Sequence, residues 1–196
     1  MSINIKDKKK LIIGMSGSSG AILGIDLLKV MQNYSDWQTH LVISKGAEET
    51  IIHETSYSPQ DVRSLADEAY SIDNISASIA SGSFKTEGMI IIPCSMKTVA
   101  GVASGYSDNL LLRAADVIIK EQRKLILVTR ESPLSPIHLR NMLTLAELGA
   151  MIMPPMPSYY NNPIYVEDVN KQIIGKILDK FNIELDGFKR WSGKNK

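Results

Sequence analysis

Residues 10–20, KLIIGMSGSSG, decide the reading of the fold. The first six form a short apolar run without helical period, the pattern of a strand buried on both faces, and the small residues that follow at once mark a tight turn. Over residues 21–31 the side chains Ile22, Leu23, Ile25, Leu27, Leu28 and Val30 recur at helical spacing around nearly the whole circumference, as on a helix packed against a sheet. Strand, glycine-rich loop and helix form the first repeating unit.

The alternation continues outward. Residues 39–43 (THLVI) read as a strand, 46–54 as a helix, and 58–70, opened by Ser-Pro, as a polar helix. A loose Ser- and Ala-rich stretch over 71–84 leads to the third strand, 89–92 (MIII), stopped by Pro93. Helices over 95–105 and 108–121 follow, then a strand over 124–129 (KLILVT). Next come a helix over 135–148 closed by Gly149, a last strand over 150–153 and a final helix over 166–181. Short β-branched strands alternating with helices predict an α/β protein with an open, mostly parallel sheet and helices on both faces. The chain has 196 residues, 44% of them hydrophobic and 22% charged, which suits one folded domain.

In such sheets ligands bind beyond the carboxyl ends of the strands, and four loops there are unusual. The first, 14–20 (GMSGSSG), lets backbone N–H groups approach an anion at a helix start; it has no Walker lysine, and a tight strand-to-helix turn is the competing reading. The second, 44–46 (SKG), opens a helix whose early Glu48 and Glu49 suit the helix dipole, while Glu54 lies two turns in and is not explained that way. The third, 93–98 (PCSMKT), brings Ser, Lys and Thr to a strand-to-helix junction. The fourth, 129–135 (TRESPLS), sets Arg130 beside Glu131, and an arginine there can grip phosphate through its planar fork. Upstream, Arg113 and Lys120 share one helix face. The loop 154–163 (PPMPSYYNNP) has the composition of a loop that closes over a ligand or packs at a rim.

Charge and cysteine usage exclude several classes. Lys plus Arg number 22 and Asp plus Glu 21, so no global field draws nucleic acid, and the run at 8–10 reads as a solvated approach to the first strand. The lone Cys94 rules out a disulfide framework, reads as a small buried filler, and fits a cytoplasmic protein. His40, His53 and His138 lack metal-ligand spacing. No apolar run approaches the ~18 residues of a membrane span and the start lacks a signal-peptide pattern, so a soluble, unprocessed chain without membrane insertion is expected.

The segments GMSGSSG, ISKGAEETIIHET, SGSF, PCSMKTVAGVASG, DNLLLRAADVIIKEQRKLILVTRESPLSPIHLRNMLTLAELGA and PPMPSYYNNP together resemble the UbiX/Pad1 flavin prenyltransferases, within the flavin-binding cysteine-decarboxylase-like superfamily. The likeness spans about residues 10–191, and the central segment and TRESPLS are specific to this branch. It implies one Rossmann-like (flavodoxin-like) flavoprotein domain over 1–196, with a core over about 10–182 and a tail over 183–196. The implied activity moves a dimethylallyl group from dimethylallyl phosphate to N5 and C6 of reduced FMN. No metal is implied, and the prenylated FMN would serve a UbiD-type decarboxylase of ubiquinone synthesis or aromatic-acid breakdown.

By that resemblance Gly17, Ser18, Ser19, Ser44, Ser95, Met96, Lys97, Thr98 and Arg130 hold FMN. Tyr160 and Lys176 contact the allylic phosphate, joined by Arg113, Lys120 and Arg130 from neighbouring subunits, which implies a homo-oligomer such as a dodecamer. Ser19 and Glu54 assist proton movement at N5, Glu131 is a further acid near the phosphate, and Trp191 covers the site. Lys176 stands where some members have Arg, keeping the charge without the fork. The competing readings are a non-catalytic FMN carrier, a subunit of an aromatic-acid decarboxylase, and a cysteine-conjugate decarboxylase. The last is opposed by PCSMKT in place of PASANT and by the lack of histidine between Glu54 and Leu134.

Overall fold

The computed structural model describes residues 8–193. The ends of the expected domain, residues 1–7 and 194–196, lie outside the described residues. The chain divides into two compact units, Met1–Pro154 and Pro155–Lys196.

The first unit runs β1 (Lys9–Met15), α1 (Ala21–Met31), β2 (Trp37–Ile43), α2 (Lys45–Glu54), α3 (Pro59–Arg63), β3 (Glu68–Tyr70), β4 (Gly88–Cys94), α4 (Met96–Ala103), α5 (Leu110–Lys120), β5 (Lys124–Thr129), α6 (Pro136–Glu147) and β6 (Met151–Ile152). The six strands form one sheet in the order β3-β2-β1-β4-β5-β6, with every neighbouring pair parallel. A fully parallel sheet needs cover on both faces, which explains the unbroken apolar runs. Leu11, Ile12, Ile13, Leu41, Val42, Ile90, Ile91, Ile126 and Leu127 are at most 1% exposed, each burial being worth about 2 kcal/mol. Ile12, Val42, Met89, Ile91, Leu125 and Leu127 pack with α4, α5 and α6 through Val99, Leu111, Ala115, Ile118 and Leu145. On α1, Gly24 lies so close to β4 that a Cβ there would stand 2.6 Å from Ile92 O.

The helix expected over 58–70 is cut short. A capping box, with Asp61 N–H on Ser58 Oγ (3.1 Å) and Ser58 N–H on Asp61 Oδ2 (2.8 Å), starts α3, which ends at Arg63. Asp67 then accepts from Thr39 N–H (2.8 Å) and Thr39 Oγ1 (2.9 Å), pinning the chain beside β2 so that residues 68–70 become its edge strand. Three exposed or half-buried residues carry no apolar alternation, so the sequence pattern does not reveal β3. The strand beginning at Gly88 is therefore the fourth, and it does not stop at Pro93. It continues to Cys94 through a slip of register against β5, where a residue without an N–H is tolerated. The last strand shrinks to Met151–Ile152.

In the second unit, α7 (Val166–Leu178) ends in a 3-10 turn, Asp179–Phe181. Asp168 Oδ2 accepts from the N–H groups of Ile164 (2.9 Å) and Tyr165 (3.0 Å) and starts the helix. Arg190 pairs with Asp179 and Glu184 and lies over the Phe188 ring, tying the tail to the helix end.

Candidate active site

The sheet order places the reversal of winding between β1 and β4, where the following loops diverge and leave a crevice. A cleft of about 450 Å³ opens there. Ser16 and Gly17 after β1, Ser44, Lys45 and Gly46 after β2, and Ser95, Lys97 and Thr98 after β4 line one part; Ile72, Asp73, Asp108, Asn109, Leu111 and Leu112 line the rest. Five of the residues expected to hold FMN thus meet: Gly17, Ser44, Ser95, Lys97 and Thr98.

Hydrogen bonds from short side chains build the cleft. Buried Ser16 donates its hydroxyl to Pro93 O (3.1 Å) and accepts Ser95 N–H (2.8 Å), stitching the ends of β1 and β4 together. Ser44 caps α2 on Ala47 N–H (3.2 Å), Ser95 caps α4 on Thr98 N–H (3.4 Å), and Asn109 caps α5 on Leu112 N–H (3.1 Å). Three helix N-termini therefore face one cleft, and their partial positive charge adds to Lys97, while Lys45 lies 3.9 Å from Asp73. A Cβ on Gly17 would lie 2.8 Å from the carbonyl carbon of Gly46, so the first two loops touch backbone to backbone. Lys45, Gly46, Asn109 and Ser16 were absent from the expected set. The SKG motif and the Asn109 cap carry a sequence signal; Ser16 carries none until the β1–β4 pairing is known.

Other expected residues lie elsewhere. Ser18 Oγ is buried without a hydrogen-bond partner, and Met96 points into the core. Glu54 is the last residue of α2 rather than a mid-helix one, and it reaches α1: its Oε2 accepts Gly20 N–H (2.8 Å) and Ala21 N–H (3.1 Å). Gly20, at φ 103°, offers no side-chain cap, so Glu54 is the anion at the start of α1. Desolvation raises the Glu54 pKa, but the Ser19 hydroxyl, the N–H groups of Gly20 and Ala21 and the charge of Arg130 outweigh it. The carboxyl is held below its ordinary value. One carboxylate thus joins Ser19 and Arg130, residues of two different loops.

Arg130 is exposed, with its N–H on Cys94 O (3.0 Å); Glu131, also exposed, accepts Ser132 N–H (3.1 Å). Arg113 bonds Asp116 (2.7 Å) and Ala80 O (3.3 Å), and Lys120 bonds Glu121 (2.7 Å). Neither lines this chain's own cleft. In the second unit, Tyr160 Oη donates to Lys189 O (3.2 Å) and its ring meets Trp191 edge-on at 5.8 Å, while Lys176 is exposed on the last turn of α7. Cys94 is fully buried, which pushes its thiol pKa far up. His40 is buried beside Tyr70 Oη (2.9 Å), and His138 accepts Ser135 N–H at the start of α6. Among the described residues no group of His, Cys, Asp and Glu is placed to hold a metal ion.

A parallel sheet with three helix N-termini at its winding reversal defines a mononucleotide-binding α/β protein. The Flavoprotein family matches residues 3–181. A probable UbiX-like flavin prenyltransferase from Sedimentibacter hydroxybenzoicus is 53% identical over 184 residues, 94% of this chain and 97% of the relative. The dodecameric FMN-dependent UbiX-like decarboxylase from Escherichia coli O157:H7 superposes with a TM-score of 0.92 at 51% identity, covering 94% of this chain and 100% of that one. AnUbiX in complex with FMN and dimethylallyl pyrophosphate gives 0.93 at 46% identity, covering 96% and 100%. The chain belongs to the flavoprotein family and, within it, to the UbiX-like flavin prenyltransferases.

The residues present fit FMN. The unpartnered Ser18 hydroxyl, the bare Gly17–Gly46 contact and the helix N-termini offer donors to an anionic, heteroatom-rich ligand, and Ile72, Leu111 and Leu112 offer an apolar wall.

Proposed function

We propose that this chain is a flavin prenyltransferase that joins the dimethylallyl group of dimethylallyl phosphate to reduced FMN. The carrying observation is the Glu54 cluster, a carboxylate bound to Ser19, Gly20 and Ala21 on the same loop whose Ser16 and Gly17 line the FMN-type cleft; a carrier of flavin needs none. Bound there, reduced FMN would supply an electron-rich ring whose N5 and C6 bond to the two ends of the allylic unit. Gly17, Ser18, Ser44, Ser95, Lys97 and Thr98 hold it, with the Met96 backbone and Arg130 alongside.

Glu54, held ionised chiefly by the Ser19 hydroxyl and the N–H groups of Gly20 and Ala21, with Arg130 adding to them, takes and returns protons through Ser19. Tyr160 and Lys176 bind the donor phosphate, joined by Arg113, Lys120 and Arg130 of neighbouring subunits, and Glu131 is a further acid of this chemistry. Negative charge grows on the phosphate as the C–O bond breaks, and fixed cations stabilise it without a metal. Trp191 shields Tyr160, whose ring it meets edge-on. AnUbiX was solved with the pyrophosphate ester, so both donors belong in the assay.

Homo-oligomerisation, as in the dodecameric relative, is supported by α6, which exposes Ile137, Leu139 and Leu143. No helix among the described residues is long and apolar enough to cross a membrane, consistent with work in the cytoplasm. The product would pass to a UbiD-type decarboxylase. Anaerobic incubation of the purified protein with FMN, dithionite and dimethylallyl phosphate should raise the flavin mass by one dimethylallyl unit. An unchanged mass indicates a carrier, and CO₂ from an aromatic acid with this chain alone indicates a decarboxylase.

A further inference from the structure

The second unit contains a buried polar clamp that the proposed chemistry has not used. Gln172, on α7, is only 6% exposed, and a buried amide is costly unless its hydrogen bonds are made. Its Nε2 donates to Tyr160 Oη (2.8 Å) and to Lys189 O (2.7 Å), and its Oε1 accepts Lys189 N–H (3.2 Å). The amide has one workable orientation: turned over, its oxygen would face Lys189 O and its NH₂ would face Lys189 N–H.

We propose that Gln172 is the positioning residue for the donor phosphate, holding Tyr160 Oη in place while leaving its proton free to be redirected. This rests on the reading of Tyr160 and Lys176 as phosphate contacts. Tyr160 accepts the short bond from Gln172 and gives its own proton to Lys189 O over a longer 3.2 Å. Lys189 O already holds the 2.7 Å bond from Gln172. When that proton turns to a phosphate oxygen, Lys189 O keeps Gln172, Tyr160 keeps its donor, and no buried group is orphaned. A hydroxyl that accepts a hydrogen bond is also the stronger donor. Lys176 follows Gln172 by one helical turn, so one helix sets both the hydroxyl and the ammonium. Through Lys189 the same amide places Trp191, whose ring meets Tyr160.

The test uses the full-length protein loaded with oxidised FMN, where no turnover occurs, and titrates dimethylallyl phosphate calorimetrically; KM and kcat follow with reduced FMN. Gln172→Met should weaken donor Kd and raise KM about tenfold, the loss of one or two hydrogen bonds, with kcat and FMN affinity within about twofold. In a Tyr160→Phe background the same change should add nothing further. Wild-type donor affinity in Gln172→Met, or a loss that multiplies with Tyr160→Phe, overturns the inference. Wild-type donor affinity in Tyr160→Phe instead overturns the reading of Tyr160. Gln172→Glu keeps the side-chain length should the Met variant fail to fold; ionised, it sets an oxygen against Lys189 O, and protonated, it can donate there again. Its carboxylate would trap the Tyr160 proton, so donor affinity should fall at pH 8 and recover towards wild type in acid, and affinity equal to wild type at pH 8 also overturns the inference.

Discussion

The cleft at the ends of β1, β2 and β4 is held by backbone and by side chains of one or two carbons, as in Ser16, Ser44, Ser95 and Asn109. The unit after Pro154 is held by long side chains that link α7 and the tail, as Gln172 does to Lys189 and Arg190 to Asp179. Short groups at strand ends inherit the rigidity of the sheet. Long ones fix only what they touch and can let go, which suits a group that must exchange partners with an incoming phosphate. The contrast teaches that flavin binding and donor binding should fail separately.

The strongest test is Glu54→Gln. It removes the charge from the Ser19–Arg130 cluster while keeping an acceptor for Gly20 and Ala21, so turnover should fall about 10²–10³-fold with FMN affinity within a few fold. Unchanged turnover would break the assignment of proton work to the cleft side. The pKa of Glu54 is depressed in the folded state from an ordinary 4.5. Its stabilisation is therefore present above that value and lost as pH falls through the folded one. The melting difference between wild type and Glu54→Gln should accordingly narrow in acid.

The next effect belongs to His40, in the same unit as the cleft. Burial, then the charge of Lys10, against an opposing Asp67, lower its pKa from 6.5 to about 4. The unfolded chain binds a proton between these values that the folded chain refuses, so stability falls as pH drops from 6.5 to 4 and levels below. The loss is roughly 3 kcal/mol. Denaturation curves of His40→Phe should lack most of that slope.

Gly17→Ala sharpens the comparison on the cleft side. A Cβ 2.8 Å from the backbone of Gly46 forces two loops apart, at about 1–3 kcal/mol, and FMN affinity should drop about tenfold by fluorescence titration. Gly175→Ala is its counterpart on α7, where a Cβ would meet the Phe188 ring at 2.5 Å. That ring can shift with the tail, so a few-fold rise in donor KM with unchanged FMN affinity is expected. Loss of FMN affinity in this variant would erase the distinction.

Legibility followed the same division. The run KLIIGM, the helix over 21–31 and the helix starts near Ser44, Ser95 and Ser135 were readable because their signals are local: unbroken apolar runs, helical spacing, small polar residues between strand and helix. The edge strand Glu68–Tyr70 was not, because its pairing depends on Asp67 reaching Thr39, nearly thirty residues away. Glu54 was noticed as a glutamate the dipole did not explain, but its work as the cap of α1 required the two helix ends to be brought together.

The sequence by itself determined an alternating α/β chain, the glycine- and serine-rich loops at its strand ends, and the family to which they belong, since each is written in neighbouring residues. Tertiary structure alone decided the strand order, and with it which loops share a cleft. It also decided that Ser16 bridges β1 and β4, and that Gln172 rather than a residue near Tyr160 in the chain holds the Tyr160 hydroxyl. Parallel strands join only across crossovers, so residues that meet at their ends are remote in sequence, and no local pattern records the meeting.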